Sequence, residues 1–197
     1  QMPFPVLTYT ELPDPMQPVP REWAMVKTPH VSWGSTDVRY AKHKVPQLKQ
    51  QNTLRLHAWR GEKVNAQAVV WTGSEVENLK CTLSDLKNNK GGLLPSDAWN
   101  IGFVRYELNK DGKGACGHRP DHSLYDSLLV ADPIDHMLQS GLLEAMTTQP
   151  VWVKCQIPQS AAPGIYKGEV CVKDGDRLLG KLKLEIHVSD RVLPVPS

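Results

Sequence analysis

No apolar run in this sequence approaches the about 18 residues that a membrane-spanning helix needs. A helical membrane span is therefore not expected. No signal peptide is visible, and Gln1-Met2-Pro3-Phe4-Pro5 reads as a mature or trimmed end. An excess of one charge sign is also missing. Lys plus Arg number 23, Asp plus Glu number 21, and the formal net charge is +2. The two signs are interspersed, which argues against a nucleic-acid stripe and against an acidic solvating tail. There is no C-x-x-C pair. There is no P-loop and no dinucleotide fingerprint. The nucleophile elbow G-x-S-x-G is absent too, so Ser35 with His43 or His57 is not read as a triad. No complete active site is expected.

What is present is proline early and short strands later. The 197 residues suffice for one large domain, or for a domain with an extended arm. Residues 1–30 hold Pro3, Pro5, Pro13, Pro15, Pro18, Pro20 and Pro29. Proline at this density lacks ladder donors and blocks helices. We expect an extended arm that packs through Phe4, Leu7, Tyr9 and Trp23.

Residues 31–190 read as strands between turns. In Thr53 to Trp59, Leu54, Leu56 and Ala58 alternate against Arg55, His57 and Trp59. In Lys63 to Trp71, Val64, Ala66, Ala68 and Val70 share a side. A two-residue hairpin at Arg60-Gly61-Glu62 would mix those faces. The loop is therefore longer, or the chain crosses between two sheets at Gly61, which suits a sandwich. Val76 to Leu86 places Leu79, Cys81 and Leu83 on one face, before a break at Asn88 to Gly92. Trp99 to Leu108 reads as a strand ending in a loop at 109–114. Residues 115–149 read as irregular, with one short helix at most. Pro150 to Pro158, Ile165 to Lys173 and Leu178 to Val188 complete the strands. In the last, Leu182, Leu184, Ile186 and Val188 alternate with Lys181, Lys183, Glu185 and His187. The expected fold is all-β, an Ig-like antiparallel β-sandwich with a Pro-rich N-terminal arm and long loops.

The four cysteines are Cys81, Cys116, Cys155 and Cys171. Strand parity sets Cys155 on an apolar face and Cys171 among lysines, so these two point apart. Cys81 lies on an apolar face. It either meets Cys155 across the core or stays a buried free thiol.

Several stretches together resemble the N-terminal β-sandwich domain of family 123 glycoside hydrolases and their relatives, common in gut Bacteroidetes. They are Val31 to Tyr40, Trp59 to Gln67, Cys116 to Pro120, Gln149 to Val153, Pro163 to Gly168, and Val192-Leu193-Pro194 with Pro196. The resemblance implies exo-hydrolysis of β-linked N-acetylgalactosamine by the parent protein. Catalysis there is substrate-assisted, an exception to the usual two-carboxylate scheme. The acidic pair responsible belongs to a barrel that comes after the sandwich. No position here matches it, so no catalytic residue is assigned. Residues 191–197 are expected to begin a linker to that C-terminal catalytic domain. The resemblance further implies a secreted parent, periplasmic or at the cell surface, with the catalytic domain of the same polypeptide as partner. A glycan is a second candidate partner, because the alternative expectation is an independent carbohydrate-binding module using exposed Trp and Tyr. No cofactor or metal is expected.

Two regions are candidate interface or ligand contacts. Trp33, Asp37, Arg39 and Tyr40 form an aromatic and polar cluster. A pyranose has apolar C–H faces and polar edges, so such a cluster suits a sugar, but a packed strand at a sheet edge or domain interface is the main reading. His118, Arg119 and Asp121 stand in the stretch densest in reactive groups, with Cys116 and His122. Cys-x-His-x-x-x-His is compatible with zinc, but its spacing matches no usual finger, so hydrogen bonds, an ion pair or domain contact are the main readings. Trp59 and Trp71 lie on a non-core face, open to a sugar or covered by the arm. Trp23 and Trp99 are assigned to the core. Glu62 lacks a nameable partner carboxylate and is read as structural.

Overall fold

Strict alternation of apolar and polar residues builds the final hairpin. The computed structural model describes residues 11–112, 125–138 and 140–194. In it β11 (Gly164–Asp174) and β12 (Arg177–Val192) pair antiparallel. Gly175 turns the chain between them at φ +56°, a left-handed conformation that glycine adopts without a Cβ clash. Leu182, Leu184, Ile186 and Val188 are fully buried, while Lys181, Lys183 and His187 face out. Each such aliphatic side chain contributes about 1.5–3 kcal/mol of burial.

Two sheets form the sandwich. The first has the order β1 (His30–Gly34), β3 (Lys63–Thr72), β10 (Thr147–Gln156), β7 (Trp99–Gly112), β8 (Tyr125–Asp135). The second runs β2 (Thr53–Arg60), β12, β11, β4 (Val76–Leu83), β9 (Ser140–Leu143). A small hairpin, β5 (Leu86–Lys87) with β6 (Leu93–Leu94), joins the second sheet at β11. The fold is an all-β sandwich, as the strand patterns predict. One pairing departs from the antiparallel expectation: β2 lies parallel to β12. This is possible because β2 does not return directly. The chain crosses to the other sheet at Gly61 (φ +85°), so β2 and β3 belong to different sheets.

The main core lies between the sheets and includes Trp33, Val70, Leu79, Val153, Cys155, Tyr166, Val170 and Leu184. A second apolar cluster covers the outer face of the first sheet. There Trp23 and Val26 of the arm pack on Tyr40, Val69 and Trp71. A third joins Val104, Tyr106, Leu129 and Ala131. Cover on both faces explains why Ala66 to Thr72 is a continuous buried run. The arm carries one helical turn, α1 (Pro20–Trp23), with its proline at the first turn where no N–H is needed.

Several boundaries differ from the sequence expectation. The expected loop at 109–114 begins inside β7, which continues to Gly112. The stretch expected to be irregular or briefly helical instead supplies β8 and β9. Its alternation is interrupted where Asp132-Pro133 bulges opposite Arg105. Pro133 is tolerated because β8 is an edge strand. At the C-terminal side, β12 runs on through Arg191 and Val192.

Candidate functional site

The four residues of the first predicted cluster do not converge. Trp33 is fully buried and points into the main core. Its indole Nε1–H donates to the carbonyl of Lys183 on the opposite sheet at 2.8 Å. Tyr40 is 7% exposed, and its ring belongs to the cluster beneath the arm. Its Oη accepts the Ser35 N–H at 3.0 Å. Gly34 permits this approach, since a Cβ there would lie 2.6 Å from that oxygen. Both rings are packed inside the domain, Trp33 on an edge strand, as the packed-strand reading expects. Asp37 is exposed, and its backbone N–H donates to Ser35 Oγ. Arg39 is also exposed and pairs with Asp132 at 2.9 Å. His118, Arg119 and Asp121 lie outside the described residues.

A polar cleft of about 680 Å³ runs between the arm and the first sheet. Glu11 of the arm is its centre. One carboxylate oxygen sits 3.0 Å from Lys42 Nζ. The other accepts the Tyr106 N–H at 3.2 Å and lies 3.3 Å from Arg105 Nε. Lys42 also reaches over the Tyr106 ring, at 5.9 Å. Asp14 approaches His43 Nε2 at 3.5 Å, and the Nδ1 of that ring faces the Met146 carbonyl at 3.3 Å. Tyr106 is buried, and its hydroxyl donates to the Thr148 carbonyl at 2.7 Å. Burial, with the charges of Glu11 and Asp14, pushes its pKa well up, so the hydroxyl stays a donor. The arrangement clamps the arm: two cations and an N–H converge on one carboxylate. Sequence reasoning missed Glu11, because its partners lie 31 and 94–95 residues away along the chain.

A different surface closes the end of the second sheet. The parallel register of β2 and β12 sets His57 beside His187, with ring centroids 5.3 Å apart. Ile165 on β11 continues the row beyond His187. Trp59, 40% exposed, stands beside them, with the Arg191 guanidinium 5.5 Å from its ring. His57, Trp59, Glu62, His187, Ser189 and Leu193 line a hollow of about 470 Å³. Glu62 accepts the Trp59 N–H at 2.8 Å, a structural role for that carboxylate. Trp71, by contrast, is buried beneath the arm and stacks on His30.

The sequence model for the glycoside hydrolase 123 N-terminal domain matches residues 33–174. The chain belongs to this family. A solved family 123 glycoside hydrolase from Clostridium perfringens, described in terms of glycolipid glycan hydrolysis, is 27% identical with a TM-score of 0.74. The match covers 86% of this chain and 28% of that one. The chain thus spans less than a third of the relative's length. A PapD-like domain of human CEP192 is 14% identical over 96% of this chain and 100% of its own, with a TM-score of 0.41. No curated protein matches the chain.

In this glycoside hydrolase 123 N-terminal domain, the carboxyl groups of Asp174 and Glu185 are held below their ordinary range. For Asp174 the cause is the Asn78 N–H, then the Arg177 side chain. For Glu185 it is the hydrogen bond from Arg55, with Lys167 adding to it. Both shifts favour the carboxylate, opposite to what a general acid at neutral pH requires. Cys81, Cys155 and Cys171 are free thiols, so the Cys81–Cys155 disulfide is not formed. Among the described residues, no three His, Cys, Asp or Glu side chains come together to hold a metal ion. No helix among them is long and apolar enough to cross a membrane.

Proposed function

We propose that this domain is a non-catalytic support for the catalytic domain of a secreted glycoside hydrolase acting on β-linked N-acetylgalactosamine. The observation that carries this reading is the family match, which is to an N-terminal domain and not to a whole enzyme. Three carboxylates of the domain, one of them on the arm, support it in physical terms. Glu11 is neutralised by Lys42 and Arg105, Glu62 is engaged by its own turn, and Glu185 bridges Arg55 and Lys167. Each holds the domain's own structure together. The work on the Clostridium perfringens relative concerns glycolipid glycans, which suits a parent placed in the periplasm or at the cell surface.

The test is hydrolysis of an aryl N-acetyl-β-galactosaminide. The full-length polypeptide should cleave it, and the 197-residue chain alone should not. Cleavage by the isolated chain would overturn the non-catalytic role. Fractionation of the source cells should recover the parent outside the cytoplasm.

A further inference from the structure

The outer face of the second sheet changes character along its strands. In its middle, charges pair across the strands. Arg55 bonds Glu185 at 3.0 Å, Lys167 reaches Glu185 at 3.4 Å, and Lys181 reaches Glu169 at 3.3 Å. Such a surface is content in water. One row further on, His57, His187 and Ile165 replace the charges. Trp59, Ile165 and Leu193 stand there, each 40–48% exposed. A group of large apolar side chains beside a hollow marks a contact surface more often than a solvated one.

The chain leaves the sandwich at the edge of this same surface, and it leaves from a fixed point. The Leu193 N–H donates to the Arg60 carbonyl at 2.8 Å. Arg60 donates in turn to the Asp190 carbonyl at 2.6 Å. Gln159 donates to the Leu193 carbonyl at 3.4 Å. The polypeptide beyond β12 therefore starts beside Trp59, held in direction. In the Clostridium perfringens relative, 72% of the chain lies outside the region that matches this domain (100 less the 28% covered).

We infer that His57, Trp59, Ile165, His187 and Leu193 form the seat on which the domain after β12 in the same polypeptide packs. This rests on the reading of the sandwich as a support for that domain. A short tether raises the effective concentration of the joined domain to the millimolar range. A modest patch is then sufficient, since interfaces within one chain are commonly smaller and more polar than obligate ones. The two histidines and Glu62 supply the polar rim, and Trp59 supplies the anchor.

Hydroxyl-radical footprinting of the full-length polypeptide tests the seat, paired with its activity on an aryl N-acetyl-β-galactosaminide. Trp59 and Leu193 should be oxidised roughly fivefold or more slowly than their intrinsic reactivity predicts, as interface burial demands. Met16 and Leu93, of similar exposure in the sandwich (43% and 51%), should show no such protection. Trp59→Lys should restore oxidation at Leu193 and separate one unfolding transition into two. Because Trp59 is a surface residue, Leu193→Asp serves as the second variant should the first fold poorly. An active polypeptide with unprotected Trp59 overturns the seat and leaves the support reading standing. An inactive polypeptide with protected Trp59 upholds the seat and overturns the galactosaminide-cleaving activity proposed for the parent. A polypeptide with no domain after β12 overturns both the seat and the support reading.

Discussion

Trp33 on β1 donates its indole N–H to the main-chain carbonyl of Lys183 on β12, 2.8 Å away in the other sheet. The bond ties an edge strand of one layer to a strand next to the edge of the other. It runs through a site with no solvent exposure at Trp33, where an unpaired polar group has no water to turn to. Trp33→Phe removes the donor and part of the ring. It should destabilise the domain by about 1–3 kcal/mol. The melting temperature should fall by roughly 2–4 °C for each kcal/mol. Lys183→Ala keeps the carbonyl and should be nearly neutral. Equal losses in the two variants would show that the side chain of Lys183, not its backbone, carries the contact.

The arm is held at Glu11 as well as by its apolar residues. Glu11→Gln leaves Lys42 and Arg105 facing a neutral amide in a partly buried cleft, where the Glu11 side chain is 17% exposed. Loss of a charged partner in such a place costs about 1–3 kcal/mol. The effect should be local. Amide exchange should quicken across residues 11–26, and fluorescence quenching of Trp23 and Trp71 should rise. The main core should melt nearly as before. A uniform loss of stability with an unmoved arm would refute the clamp.

Period and parity account for the parts of the fold that are legible in the sequence. The run Leu182, Leu184, Ile186, Val188 is fully buried because period-two alternation assigns a face without reference to anything distant. The crossing at Gly61 is legible for the same reason, since a hairpin there would mix the apolar faces of β2 and β3. Residues 125–143 are not legible. The bulge at Asp132-Pro133 shifts the register, and Gly141 weakens the strand signal that remains. The candidate site fares worse. Trp33 stands in sequence beside polar residues, but its face is set by packing against β12, 150 positions later. His57 and His187 become neighbours only through a parallel pairing that joins strands 130 residues apart.

Gly61 carries the crossing between sheets in a left-handed conformation, φ +85°. An added Cβ would also meet the Gln159 side chain at 3.0 Å. A β-branched residue tolerates neither well. Gly61→Val should destabilise by about 1–3 kcal/mol. Gly61→Asn, which visits the left-handed region more readily, should lose less than Gly61→Val. Denaturant midpoints measure both. Indistinguishable midpoints for the wild type and Gly61→Val would show that the backbone at this position is not constrained.

Cys155 has no solvent exposure, and burial pushes its thiol from 9.0 up to about 12; Cys81 is moved to the same value by the same cause. The shifts fix the sign of the pH dependence. Below pH 9 both folded and unfolded states keep the protons, and the burial contribution is fully present. Between pH 9 and about 12 the unfolded chain releases protons that the folded chain retains. The unfolded state is then favoured, so stability falls as pH rises through this window. Cys155→Val should remove part of that fall, because valine fills much of the same space and does not ionise. Unfolding in denaturant at about pH 8 and about pH 10.5, on either side of the unfolded thiol's pKa, measures the difference. The wild type should lose more between the two than the variant does. Alkylation by iodoacetamide gives an independent reading, since the thiolate is the nucleophile. Cys155 and Cys81 should resist it at about pH 8 until the domain unfolds. Rapid alkylation of Cys155 in the folded state would mean that the core between the sheets opens without global unfolding.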